Sequence, residues 1–230
     1  MKKFHLGVLC IVALSVLIIF PIKGFAGSKC RLYDNFNSGY INPELWDVDD
    51  SSATITVEGR RAKFVHNLSM ANDSSWLIFR KRPEKIKEIR VNVWVEQAPG
   101  GDARARIGGW QGEDKYGNLI WNHFQVRPES QRVDFGAFAF SDPDAFDVEY
   151  ELFFGYFQRP ITILNRKFKL TLGFDRSELE YEASGLGEVE HELKHKLHRP
   201  YDVFKGIGTR NSYPDSGEFI VYFDDVYVCY

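Results

Sequence analysis

Hydrophobic and polar residues alternate with a period of two along most of this chain. Ile89, Val91, Val93 and Val95 are separated by Arg90, Asn92 and Trp94. Phe168, Leu170, Leu172 and Phe174 interleave with Lys169, Thr171 and Gly173, and Val148, Tyr150, Leu152 and Phe154 with Glu149, Glu151 and Phe153. Successive side chains of a strand point to opposite faces, so these runs predict strands with one buried face. Turn-forming clusters stand between them: Pro99-Gly100-Gly101, Tyr116-Gly117-Asn118, Asp142-Pro143-Asp144, Gly185-Leu186-Gly187 and Pro214-Asp215-Ser216-Gly217. Many short strands joined by such turns predict an all-β sandwich or barrel. No internal repeat or low-complexity linker divides the chain.

The first residues break this pattern. Met1-Lys2-Lys3 precedes an apolar run from Leu6 to Phe20, and small residues follow at Gly24, Ala26, Gly27 and Ser28. A basic start, a short apolar stretch and small residues at a cut site predict a signal peptide over residues 1–26, with the cut after Ala26. The apolar run is too short to read as a membrane-spanning helix, and no later segment is long and apolar enough. The mature domain is then residues 27–230, secreted or periplasmic.

Removing the leader changes the charge. Lys2, Lys3 and Lys23 leave and no acid does, so the −3 of the whole chain becomes about −6. An acidic domain of this kind argues against a general nucleic-acid binder. Cys10 leaves too. Cys30 and Cys229 remain near the two ends, and export allows them to form a disulfide. That bridge requires the first and last strands to be neighbours.

Two end segments carry a resemblance. The first is Tyr33-Asp34-Asn35-Phe36-Asn37-Ser38-Gly39-Tyr40-Ile41-Asn42-Pro43-Glu44-Leu45-Trp46, the second Phe219-Ile220-Val221-Tyr222-Phe223-Asp224-Asp225-Val226. Together they resemble the opening and closing strands of the concanavalin A-like lectin/glucanase superfamily. The resemblance implies a jelly-roll β-sandwich of two antiparallel sheets, one concave, with adjacent terminal strands. It implies a fold more sharply than an activity.

Within that fold, residues 103–110 and 119–127 predict a hairpin with Trp110 opposite Leu119. One face carries Ala103, Ala105, Ile107, Ile120, Phe124 and Val126, with Gly109 and Asn122. The other carries Arg104, Arg106, Gly108, Trp121, His123, Gln125 and Arg127, and Trp94 could join it from the preceding strand. A flat ring stacks on a sugar, while Arg, Gln and His direct hydrogen bonds to hydroxyls or carboxylates. Ligands of the resembled superfamily commonly lie across the concave sheet. The leading expectation is therefore a non-catalytic, lectin-like carbohydrate-binding domain, and its arginines hint at an acidic polysaccharide. A solvated sheet face with a loop-covered Trp121 is the plainer alternative.

Three further patterns bear on function. A glycosidase needs two carboxylates flanking the bond, about 5–9.5 Å apart. Glu149 and Glu151 share a predicted strand face, but the Glu-x-Asp-x-x-Glu string of the superfamily's glucanases is absent. A glycoside hydrolase or polysaccharide lyase is therefore the second expectation, and a structural or protein-binding envelope domain the third. His191-Glu192-Leu193-Lys194-His195 spells His-Glu-x-x-His, but a helix must bring its imidazoles together. On a strand they lie about 13 Å apart. Finally, Asp34 and Asp225 would approach if the termini pair, offering oxygen ligands for the structural calcium that the superfamily often holds. No other cofactor is expected.

Overall fold

Alternation has the predicted consequence: two antiparallel sheets packed face to face. The computed structural model describes residues 29–142, 147–158, 162–174, 178–186, 189–194 and 204–230. The predicted leader, residues 1–26, and His195 lie outside these. Strands are numbered along the chain.

The eight-stranded sheet runs in the order β13 (Val189–Lys194), β12 (Glu178–Ser184), β11 (Lys167–Phe174), β6 (Glu88–Gln97), β15 (Glu218–Cys229), β4 (Arg61–Asn67), β3 (Ala53–Glu58), with β1 (Cys30–Asp34) also on β15. The seven-stranded sheet runs β10 (Asp147–Gln158), β9 (Arg132–Asp142), β8 (Leu119–Arg127), β7 (Arg104–Glu113), β14 (Lys205–Asn211), β5 (Asp73–Phe79), β2 (Trp46–Asp49). This is a jelly-roll sandwich of two antiparallel sheets, the fold that the resemblance of the end segments implies. Among the described residues no helix is long and apolar enough to cross a membrane.

The inward-facing sets form the core. Val91, Val93, Leu170, Leu172, Val221 and Phe223 of one sheet meet Ala105, Ile107, Phe124, Phe135 and Ile207 of the other. Each large apolar side chain so buried contributes about 1.5–3 kcal/mol. Two polar pairs also cross the core. The Tyr181 hydroxyl donates to Asn122 Oδ1 at 2.5 Å, and buried His66 meets Thr209 Oγ1 at 2.8 Å. The other His66 nitrogen lies 3.0 Å from Asp73. Burial lowers the His66 pKa, and Asp73 opposes that shift.

The chain ends behave as the sequence predicts. Cys30 pairs with Cys229 across the β1–β15 ladder, and the two form a disulfide. Asp34 accepts from the Phe36 backbone N–H at 2.7 Å and from Trp46 Nε1 at 2.8 Å. Trp46, 1% exposed, packs against Tyr33, Phe36 and Phe79. The opening signature thus has a physical cause: one carboxylate ties a turn to a buried indole.

Several local expectations are corrected. Trp110 pairs with Trp121 rather than Leu119, which instead faces Glu113. A bulge between Trp110 and Gly112 takes up one residue, and Asp114 tightens the turn by accepting from the N–H groups of Tyr116 and Asn118. The slip is two residues at Trp110, so both hairpin faces keep their predicted members. In β10, bulges interrupt the alternation. Leu152 and Phe153 both pack toward the core, while Val148 is exposed. The His-Glu-x-x string lies on β13, a strand, so it does not form the helical zinc motif.

Candidate functional site

The face that the hairpin turns away from the core becomes the outer face of the seven-stranded sheet. Register places Arg106 opposite Gln125, Gly108 opposite His123 and Trp110 opposite Trp121. On the next strand His123 faces Gly136, Gln125 faces Asp134 and Arg127 faces Arg132. On the other side Arg106 faces Gly208 and Arg104 faces Arg210, and Gly208 in turn faces Trp76.

Glycines make the floor on which the rings lie. A Cβ on Gly108 would come 2.8 Å from the Trp121 ring, and one on Gly208 would come 2.8 Å from Trp76 and 2.2 Å from the Ser75 carbonyl oxygen. Phe204 packs edge-on against Trp76 and tilted against Trp121, covering this end of the face. Trp121 also contacts Trp110, so the loop-covered alternative is partly realised.

Charge is the second feature. Arg127 binds Asp102 through two contacts of 2.8 and 2.9 Å and also pairs with Asp134. Arg132 grips fully buried Asp134 at 2.6 and 3.1 Å, and Arg104 pairs with Asp102. Gln125 Nε2 donates to Asp134 at 3.4 Å. Arg106 stands apart. It is 5% exposed, its Nε has no hydrogen-bond partner, and its guanidinium lies 4.0 Å over Trp76. Burial lowers its pKa, and Arg210 and Arg104 push the same way.

His123 lies beside it, 9% exposed and stacked parallel on Phe138 at 5.5 Å. Its Nε2 has no hydrogen-bond partner. Burial pushes its pKa well below the usual imidazole value, and Arg106 and Arg104 add repulsion. Both effects favour the neutral form of His123.

Six of the seven sequence-predicted binding residues thus share one face: Arg104, Arg106, Trp121, His123, Gln125 and Arg127. Trp94 does not. The Pro99–Gly100–Gly101–Asp102 turn carries the chain from β6 to the other sheet, which leaves Trp94 on the opposite outer face. Asp34 and Asp225, the expected calcium ligands, each have other partners. Asp34 is engaged as above, while Asp225 takes a hydrogen bond from Asn92 at 2.9 Å. Asp225 sits at a bulge with φ 47°, which breaks the alternation and brings both Asp224 and Asp225 to about 4 Å from Lys167. Among the described residues, three metal-type ligands converge only at Cys30, Glu88 and Cys229, and the disulfide occupies two of them.

Trp76, Asp102, Asp134, Gly136 and Phe138 escaped the sequence reading. Alternation could have found the β9 members, since Arg132, Asp134, Gly136 and Phe138 interleave with buried Val133, Phe135 and Ala137.

No protein-family model matches the sequence, and no curated relative was found. Solved structures share the fold at low identity. The catalytic domain of an endo-1,3-β-glucanase (laminarinase) from Thermotoga petrophila superposes with TM-score 0.62 and 13% identity, over 88% of this chain and 98% of that one. A glycoside hydrolase family 16 endo-glucanase from Bacteroides ovatus gives 0.58 and 10%, over 86% and 98%. The Bacillus licheniformis β-glucanase gives 0.58 and 9%, over 90% and 99%. These three structures are of glucan-cleaving enzymes. This corrects the leading expectation of a non-catalytic, lectin-like domain in favour of the enzyme alternative.

Proposed function

We propose that the protein is a polysaccharide-cleaving enzyme whose active face is the outer surface of the seven-stranded sheet. The fold it shares with glycoside hydrolases supports the enzyme class. The observation that carries the reading is Arg106 beside His123: a buried cation with no carboxylate partner among the described residues, next to an imidazole whose Nε2 has no hydrogen-bond partner and whose pKa is lowered.

Two chemistries break a glycosidic link here. Hydrolysis by paired carboxylates needs two acids across the bond. On this face Asp134 and Asp102 are both held by arginines, and Glu151, the register partner of Phe138, is exposed on the outermost strand. Elimination on a uronic acid suits the groups better. Arg106 would pair with the sugar carboxylate and make the adjacent C–H more acidic. His123 Nε2 would take that proton, a double bond would form in the ring, and the link to the leaving sugar would break, its oxygen gaining a proton from solvent. The substrate on this reading is an acidic polysaccharide, and the protein acts outside the cytoplasm after losing residues 1–26.

Polyuronates and neutral β-glucans should be incubated with the protein while reducing ends and ultraviolet absorbance of unsaturated sugar are followed together. Both signals rising on a polyuronate is the expected result. Reducing ends without absorbance would assign hydrolysis instead, and neither signal on any polymer would remove the enzyme reading. Mass analysis of the exported protein checks the cut after Ala26.

A further inference from the structure

The eight-stranded sheet has its own recessed outer surface, away from the arginine-rich face. A depression of about 290 Å³ opens there among Arg61, Asn92, Trp94, Lys167, Tyr222 and Asp224. Four strands supply it. Trp94 and Tyr222 are register partners on β6 and β15 and stack at 5.1 Å with 24° between their planes. The Arg61 guanidinium lies 4.4 Å from the Trp94 ring centre and 4.3 Å from that of Tyr222. Tyr222 is nearly buried and donates to Glu96 at 3.0 Å, which fixes the stack. Trp94 is only half-buried.

The polar groups around this stack are of mixed sign. Arg61 and Lys167 bring positive charge, while Asp224, with Asp225 beside it, brings negative charge. Lys167 stands 3.9 and 4.0 Å from the two carboxylates, at the outer edge of ion-pair range, and its side chain is 62% exposed. A simple anion would meet Asp224, and a simple cation would meet Arg61. A polyhydroxyl unit suits both, because each hydroxyl donates and accepts, and the apolar face of such a unit fits the exposed part of an indole.

We propose that this depression is a second glycan-binding site, which holds one or two sugar units through their hydroxyls and is separate from the cleaving face. The choice of a glycan as ligand rests on reading the protein as carbohydrate-active. The site does not take part in bond breaking; it anchors a chain to the sheet opposite the one that cuts. It binds uncharged sugar units, whereas the arginine-rich face selects carboxylates.

The test uses the full chain and a panel of soluble neutral polysaccharides, a β-glucan, a xylan and a galactan, with binding followed by affinity electrophoresis and calorimetry. The parent should bind at least one member. Trp94→Ala and Lys167→Glu should each weaken that binding at least ten-fold, and Arg106→Ala should leave it unchanged. Lys167 is exposed, so its variant reports on binding even if Trp94→Ala disturbs the stack. Equal binding by parent and Lys167→Glu, or no binding by the parent to any member, would overturn the proposal. Polyuronate cleavage in the same preparations keeps the two readings apart. Cleavage failing while Trp94-dependent binding persists would remove only the enzyme reading.

Discussion

The outer face of the seven-stranded sheet buries the charges at its centre, whereas the eight-stranded sheet buries Glu88 but leaves Glu58 and Lys167 in water. Asp134 is fully buried and Arg106 is 5% exposed. On the other side the side chains of Glu58 and Lys167 are 59% and 62% exposed. Exposed ion pairs add little to stability, and a sheet face needs nothing more to stay soluble. Burying a guanidinium beside an imidazole costs desolvation that folding alone gives no reason to accept. The contrast teaches where to look for chemistry: on the face whose polar groups are held at a cost.

The largest effect expected from breaking the contrast is on catalysis. His123→Ala should lower polyuronate cleavage by about 10²–10⁴-fold, the range for losing a general base, with little change in binding at the Trp94 depression. Full activity in this variant, measured as initial rate, would remove His123 from the reaction. Next comes stability. Asp134→Asn leaves Arg127 and Arg132 without their shared carboxylate and should cost about 3–5 kcal/mol in denaturant unfolding, while Glu58→Gln on the other sheet should leave the midpoint unchanged. Gly208→Ala should cost about 1–3 kcal/mol, because its new Cβ meets a backbone oxygen that cannot swing away.

The smallest effect is that of pH. His66 and His123 both have pKa values below the ordinary imidazole value. The unfolded chain therefore binds protons first as pH falls through about 6.5, and stability drops below that point. Thermal melts between neutral and mildly acidic pH should show this, and His66→Gln with His123→Gln should flatten it. A parent Tm that rises on acidification would show the histidines to be charged in the fold.

The sandwich was legible because its signal is local. Val91, Val93 and Val95 declare a buried face without reference to any partner, and Cys30 with Cys229 declares which strands adjoin. Hairpin membership was legible for the same reason, and it survived a register error because a slip of two preserves faces. What failed depended on contacts between distant segments. Trp94 lies close in sequence to Arg104 yet ends on the other sheet, since the turn at Pro99–Asp102 crosses the sandwich. The bulge at Asp225 brings two acids toward Lys167 where strict alternation would separate them. Trp76 became part of the arginine face only because β14, far along the chain, inserts between β5 and β7. That Arg106 Nε and His123 Nε2 lack hydrogen-bond partners could not be read from their identities at all, since it is a property of what surrounds them.

The Cys30–Cys229 bridge joins residues 199 positions apart. Every loop between them therefore belongs to one covalent ring. If a protease cuts a single exposed turn, such as the one at Tyr116, both pieces remain attached through sulfur, and the strands on either side stay in reach of their partners. A protein so closed tolerates a nick that would release half of an open chain, and the damage becomes visible on a gel only after a reductant is added.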